Sequence, residues 1–257
     1  MTQLLAIIGG SGFSELPEFE LIARHDIETP FGSPSAPVMD GLLNGHRVLV
    51  LARHGLTHQF APHTINYRAN LWALHSLGST QIIAVAAVGG IHADCSPGKL
   101  VLPDQIIDYT WGRECSFFTE QFSADKHIDF SWPYDAQLRN ELSNAAQMCE
   151  LEMRNTGTYG ATQGPRLETA AEITRMARDG CDLVGMTGMP EAALARELNV
   201  PYACCAVVAN YAAGLSDKAL SMPEIEQTLA EAMDQVYRLI NCYTRSYSAG
   251  SEKLSGD

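Results

Sequence analysis

Apolar residues in this chain gather in short continuous runs that alternate with stretches of helical spacing. Leu4–Ile8 is one such run, closed by Gly9-Gly10, and predicts a buried strand ending in a glycine turn. Val38–Leu43 and Val48–Leu51 flank Asn44-Gly45, a pair suited to the positive-φ positions of a two-residue hairpin turn. Leu71, Trp72, Leu74 and Leu77 give Tyr67–Leu77 one apolar helical face, stopped by Gly78. Ile82–Val88, closed by Gly89-Gly90, predicts a second buried strand. Leu100-Val101 and Ile106-Ile107 predict shorter strands split by Pro103.

The second half repeats the rhythm. Asp135 stands as an N-cap before a helix over Ala136–Leu151, and Gly157–Thr162 reads as a strand. Helix is predicted over Glu168–Ala177 and Glu191–Leu198, and strand over Leu183-Val184 and Pro201–Ala209. Pro223–Tyr243 closes the pattern as an amphipathic helix with proline in its first turn. Strands alternating with helices predict an α/β sandwich around a central mixed β-sheet flanked by helices. No linker or repeat divides the chain, so one domain over 1–246 is expected, followed by a polar, frayed tail over 247–257.

Composition narrows the function classes. With 257 residues the chain can bury a full core; 46% of them are hydrophobic and 18% charged, which excludes disorder. Seventeen Lys and Arg against 30 Asp and Glu leave a net charge of −13, the wrong sign for neutralising a nucleic-acid backbone or an anionic membrane. No apolar run approaches the ~20 residues needed to span a bilayer, and the start of the chain lacks a basic leader. The cysteines (Cys95, Cys115, Cys149, Cys181, Cys204, Cys205 and Cys242) show no metal-ligand or redox spacing. Buried reduced thiols and a cytoplasmic setting are therefore expected.

Chemistry-bearing residues collect at predicted strand ends. Gly9-Gly10-Ser11-Gly12 follows the first strand and reads either as a plain tight turn or as a phosphate cradle. The dinucleotide fingerprint fails, because Glu15 stands where its third glycine belongs. Ala52-Arg53-His54-Gly55 offers a permanently charged guanidinium and an imidazole donor to an oxyanion, or else a surface ion pair and a satisfied histidine. Thr162-Gln163-Gly164-Pro165-Arg166-Leu167-Glu168-Thr169 is a strand-to-helix turn, in which Glu168 could simply complement the helix dipole. In Gly185-Met186-Thr187-Gly188-Met189-Pro190-Glu191, Thr187 could simply be an N-cap. Asn210-Tyr211-Ala212 ends the last strand. Separately each is weak, but in an α/β sheet such ends converge on one pocket.

These pieces, IIGGSG, IETPFGSPS, LARHG, APHTINYRANLWAL, GPRLET and GMTGMPE, occur in order over about residues 4–240. In them the chain resembles the trimeric purine nucleoside phosphorylases, in their 5′-methylthioadenosine phosphorylase branch. The resemblance implies an α/β phosphorylase sandwich, a homotrimer, and attack of inorganic phosphate on the anomeric carbon of a purine nucleoside. Phosphate is then a co-substrate, and no metal or organic cofactor is implied. By motif, Ser11, Arg53, His54 and Thr187 would bind phosphate and Met186 would lie under the ribose. The family's usual hydroxyl residue on the central strand is replaced here by Ala86 of Ala86-Ala87, which removes one phosphate donor.

The departures from the branch point to the base. Where methylthioadenosine phosphorylases carry Asp-x-Asp, this chain has Asn210-Tyr211-Ala212, and Glu168 stands where that branch usually has serine. Asn210 donates to a keto O6 and accepts from a protonated N7, while Glu168 accepts from the N1–H that a 6-oxopurine has and adenine lacks. Met222, by the same resemblance, lines the 5′ pocket and suits a thioether. The expected reaction is phosphorolysis of 5′-methylthioinosine to hypoxanthine and 5-methylthioribose 1-phosphate. Alternatives are an inosine/guanosine phosphorylase, a methylthioadenosine phosphorylase and, from another class, a nucleotide-binding module without turnover.

Overall fold

The computed structural model describes residues 3–10, 18–120, 122–216 and 221–251, with side chains described as far as residue 246. Strands β1 (Leu5–Gly9), β2 (Glu20–His25), β3 (Val38–Leu43) and β4 (His46–Ala52) precede helix α1 (Tyr67–Ser76). β5 (Gln81–Gly90), β6 (Leu100–Val101), β7 (Gln105–Asp108), α2 (Ala136–Met148), β8 (Met153–Arg154) and β9 (Thr158–Ala161) follow. The chain ends with α3 (Ala170–Asp179), β10 (Leu183–Gly185), α4 (Gly188–Glu197), β11 (Tyr202–Tyr211) and α5 (Met222–Ser251). The strands join one mixed sheet in the order β2-β3-β4-β1-β5-β10-β9-β7, with β11 along β5 and β6 and β8 beyond it.

The period-2 pattern sorts each central strand between two cores. Ala6 and Ile8 of β1, Leu49 and Leu51 of β4, and Ile82 and Ala84 of β5 pack with α1 and α4. Leu5, Ile7, Val48, Val50 and Ile83 pack with Leu138 and Leu142 of α2 and with Val236, Leu239 and Ile240 of α5. The hairpin turn is as expected: Asn44 (φ 54°) and Gly45 (φ 78°) both take the left-handed conformation that joins β3 to β4. Asp135 caps α2, its carboxylate accepting from Leu138 N–H at 2.7 Å.

β5 is where the sheet divides. One edge pairs with β11 along its whole length. The other edge pairs with parallel β1 up to Ala84, then with antiparallel β10 from Gly89. Between them the described pairing leaves Val85–Val88 open, and neighbouring strands diverge from that point. Such a division in an open α/β sheet creates a crevice beside strand ends.

Three expectations need correction. The last helix does not stop at Tyr243 but continues to Ser251, so the segment expected as a frayed tail starts inside α5. β2 and β8 were not anticipated; β2 is a largely exposed edge strand without an apolar run. Cys149 and Cys242 are not free thiols. They form a disulfide between the end of α2 and the face of α5 packed on it, with Cα atoms 6.4 Å apart, inside the range a disulfide spans. Their 93-residue separation carries no spacing signal, so only the packing of the two helices reveals the pair. No helix among the described residues is long and apolar enough to cross a membrane.

Candidate active site

Arg53 directly follows β4, its backbone N–H donating to Gly9 O at 2.9 Å and extending the β1–β4 pairing. The side chain is 2% exposed. Nη1 donates to Val85 O at 2.8 Å and Nη2 to Ile8 O at 3.4 Å, so the guanidinium sits in the gap where β1 leaves β5. Nε and Nη2 form a fork with Glu191 of α4 at 2.7 and 2.8 Å, and Glu191 also accepts from Tyr202 Oη at 2.9 Å. Burial alone would lower the pKa of Arg53; the Glu191 carboxylate overrides it and holds the guanidinium charged. Those contacts use four of the five guanidinium N–H donors. Arg53 is therefore a pre-set, internally neutralised group and not a mobile surface cation.

His54 is half-buried. Its Nδ1 lies 2.8 Å from Phe60 O, and its ring stacks on His58 with centroids 4.4 Å apart. Burial lowers its pKa to about 4, helped by the adjacent Arg53 charge and opposed by the Phe60 carbonyl. At neutral pH the ring is uncharged, and because a carbonyl only accepts, the proton is on Nδ1. Nε2 then presents a lone pair. The imidazole N–H expected as a donor is thus taken up by the Phe60 carbonyl, and Nε2 offers an acceptor.

Thr187 occupies the N-cap position of α4, yet its hydroxyl makes no capping bond, and its N–H meets Tyr159 Oη at 3.4 Å. The plain capping role is thus unfilled. Met186, half-buried before it, lies against the Gly164 turn, where an added Cβ at Gly164 would meet its sulfur at 2.5 Å. Glu168 is not a helical residue. Thr169 caps α3 in a reciprocal box with Glu172, and Glu168 stands outside it, accepting from Thr162 Oγ1 at 2.6 Å. Glu168, Thr162, Gln163, Tyr109 and Trp111 line a cavity of about 250 Å³.

Asn210 owes its placement to a β-bulge. Val208 pairs with Val88 but Asn210 with Gly89, so Ala209 is the extra residue. In regular register Asn210 would share the face of Val208; the bulge moves it to the face of Ala87, an exposed residue in an otherwise buried strand. Its Nδ2 donates to Tyr211 O at 2.7 Å, and Tyr211 is 39% exposed at the strand end. Ala212 is 2% exposed and packs with Ile173, Met176 and Val184 beneath α3, so it bounds the crevice from within the core. Ala86 is buried on the opposite face of β5 from Ala87. Met222 is 58% exposed at the first position of α5. Ser11 lies outside the described residues.

Bonded neighbours tie Arg53 through Glu191 to α4, whose N-cap is Thr187, and Met186 packs on the Gly164 turn that precedes Glu168; Asn210 stands beside Gly89 at the end of β11, and Met222 is exposed at the start of α5. Two residues escaped the sequence reading. Glu191 looked like an ordinary first-turn acid of α4, and nothing marks a buried partner 138 positions from Arg53. Arg113, alone in an aperiodic loop, bonds backbone carbonyls of both the Thr162–Gln163 and Met186–Met189 segments. No cluster of metal-ligating side chains occurs among the described residues.

Comparison with known proteins finds relatives in sequence and in fold. The model of the phosphorylase superfamily matches residues 4–244. A probable S-methyl-5′-thioinosine phosphorylase of Xanthomonas campestris is 51% identical over 90% of each chain. The 6-oxopurine nucleoside phosphorylase of Pyrococcus furiosus is 43% identical over 92% of this chain and 90% of its own. Among solved structures, the methylthioadenosine phosphorylase of Schistosoma mansoni superposes with a TM-score of 0.90 at 29% identity, covering 97% of this chain and 93% of that one.

Proposed function

The chain belongs to the phosphorylase superfamily, and from that premise we propose that it cleaves S-methyl-5′-thioinosine with inorganic phosphate, yielding hypoxanthine and 5-methylthioribose 1-phosphate. The observation that carries the base assignment is Glu168. It is an acceptor-only carboxylate, held by the Thr162 hydroxyl at the cavity, and it matches a base that donates at N1. Adenine would place its N1 lone pair against that carboxylate. Sites built on such matching discriminate by ~10⁴ or more.

The residues suggest a division of labour. Glycosidic cleavage passes through an oxocarbenium-like sugar. Phosphate on the far face stabilises that charge and is the nucleophile, so the protein's work is positioning and stabilising charge. Arg53 would offer its remaining N–H, Thr187 its hydroxyl, which makes no capping bond on α4, and Ser11, next in sequence after β1, its hydroxyl. His54 Nε2 would accept the phosphate proton. Asn210 would donate to O6 and accept from a protonated N7 as negative charge develops on the leaving purine. Met186 would pack under the ribose and Met222, with Tyr211 and Ala212 beside the base, would complete the substrate pocket. Neither a metal nor an organic cofactor enters this scheme.

A homotrimer and a cytoplasmic setting belong to the same proposal. Trp111, Phe122 and Trp132 are large exposed apolar residues suited to a subunit contact. Four buried free thiols support a reducing compartment, and the Cys149–Cys242 bond argues against one. A second reading, a general 6-oxopurine nucleoside phosphorylase, is favoured by the exposure of Met222, which leaves the 5′ end unenclosed in the single chain. Inosine, adenosine and their 5′-methylthio analogues, each with and without phosphate, separate these readings. Hypoxanthine release from 5′-methylthioinosine only in the presence of phosphate is expected. Faster turnover of the 6-amino analogue would overturn the base assignment, and equal turnover of inosine would favour the second reading.

A further inference from the structure

We propose that Arg113 is a specificity-positioning residue: it clamps the turn carrying Glu168 to the loop carrying Met186 and Thr187, and so sets the preference for 6-oxopurines. This rests on the base assignment above. Arg113 is half-buried in the loop after β7, and among the described residues no carboxylate pairs with it. Its guanidinium instead directs its N–H groups mainly at two segments, with a longer contact from Nη1 to Tyr67 Oη at 3.4 Å. Nη2 donates to Thr162 O at 3.1 Å and to Gln163 O at 2.8 Å, and Nε donates to Gln163 Oε1 at 3.2 Å. Nη1 donates to Met186 O at 2.8 Å and to Met189 O, and its carbon stands 5.5 Å from the centre of the Tyr67 ring.

The two segments follow adjacent parallel strands, β9 and β10, whose pairing ends at Ala161–Gly185. Past that pair one more sheet bond remains, Thr162 N–H donating to Gly185 O at 2.8 Å, and beyond it the base-side carboxylate and the ribose-side methionine must still hold one distance across a single nucleoside. Thr162 is the link. Its carbonyl is held by Arg113 while its hydroxyl donates to Glu168, so a shift of the clamp moves the carboxylate. Gln163 tightens the same joint, its Oε1 accepting from both Arg113 Nε and Trp111 N–H, each at 3.2 Å. A planar five-donor fork reaches both segments at once, whereas an ammonium on a single stem cannot. Arg113 needs no contact with substrate: it acts through Glu168.

The test is the ratio of kcat/KM for 5′-methylthioinosine over 5′-methylthioadenosine in Arg113→Lys and Arg113→Met, with melting curves to establish the folded fraction. Both variants should lose at least about tenfold in that ratio, because discrimination falls once the carboxylate is free to swing away from N1. Lysine should not rescue it. A merely structural role would lower both substrates by one common factor, and an unchanged ratio in folded protein overturns the proposal. If the Arg113 variants do not fold, Gln163→Leu removes the acceptor that Arg113 Nε shares with Trp111 N–H and leaves the clamp's bonds to backbone carbonyls in place. It should lower the ratio several-fold, and an unchanged ratio there is equally fatal. Failure of the base assignment is distinguishable, since it appears as the absence of a 6-oxo preference in the unaltered enzyme.

Discussion

Removing Arg53 should damage the protein in two separable ways, and a double-mutant cycle with Glu191 tells them apart. Arg53→Met leaves Glu191, which is 0% exposed, with the Tyr202 hydroxyl as its remaining described partner. Breaking a buried pair from one side costs about 3–5 kcal/mol, because the stranded charge keeps its desolvation penalty. For a chain of this length that is a fall in Tm of roughly 6–20 °C. Glu191→Leu strands the guanidinium in the same way. In Arg53→Met/Glu191→Leu no charge is left buried, so the double variant should be more stable than the sum of the singles implies by about 2 kcal/mol or more. Urea unfolding at one fixed protein concentration reads that coupling. The phosphate site responds differently. The double variant still lacks the N–H offered to phosphate, and losing a hydrogen bond to a charged group, ~1.5–3 kcal/mol, should raise the phosphate KM about 10- to 150-fold. Single variants whose effects simply add would show that Arg53 and Glu191 are not a coupled pair. A folded double variant with the original phosphate KM would remove Arg53 from the phosphate site.

Further outcomes follow from the same geometry. 5′-Methylthioinosine should exceed inosine in kcat/KM by about 10–200-fold, as expected when an apolar pocket gains a thioether methyl; steady-state assays at saturating phosphate measure it. Asn210→Ala should lower kcat more than it raises the nucleoside KM, since charge on the purine develops only in the transition state, and equal changes in both would refute that role. The His54 contribution to stability should be constant above about pH 6.5 and be lost as the pH drops toward 4. His54 titrates near 4 in the fold and near 6.5 when unfolded, so the unfolded chain binds its proton first. His54→Asn should flatten that limb in a series of melts against pH. Thiol titration of unreduced, denatured protein should count the five free cysteines, rising to all seven after reduction, and seven at the outset would refute the disulfide.

Much of this protein was legible along the chain. Leu4–Ile8, Ile82–Val88 and Pro201–Ala209 announced central strands because a strand covered on both faces must be apolar throughout, and Asn44-Gly45 announced the hairpin through its backbone requirement. The polar residues at those strand ends were legible too, as candidates, since each lies next to an element the pattern predicts. What they do there was decided by tertiary structure. The gap on the edge of β5 depends on where β1 stops and β10 starts, a property of three segments far apart in sequence, and that gap turns Arg53 from a surface cation into a buried, paired one. The bulge at Ala209 depends on β5 as well, and it alone moves Asn210 to the face of Ala87. The acceptor state of His54 follows from the Phe60 carbonyl and from burial, neither of which has a periodicity. Glu191, Arg113 and the Cys149–Cys242 bond share one reason for their silence in the sequence. Each acts through a partner supplied by another element, and side-chain patterning reports which face of an element is buried but not which residue waits on the other side.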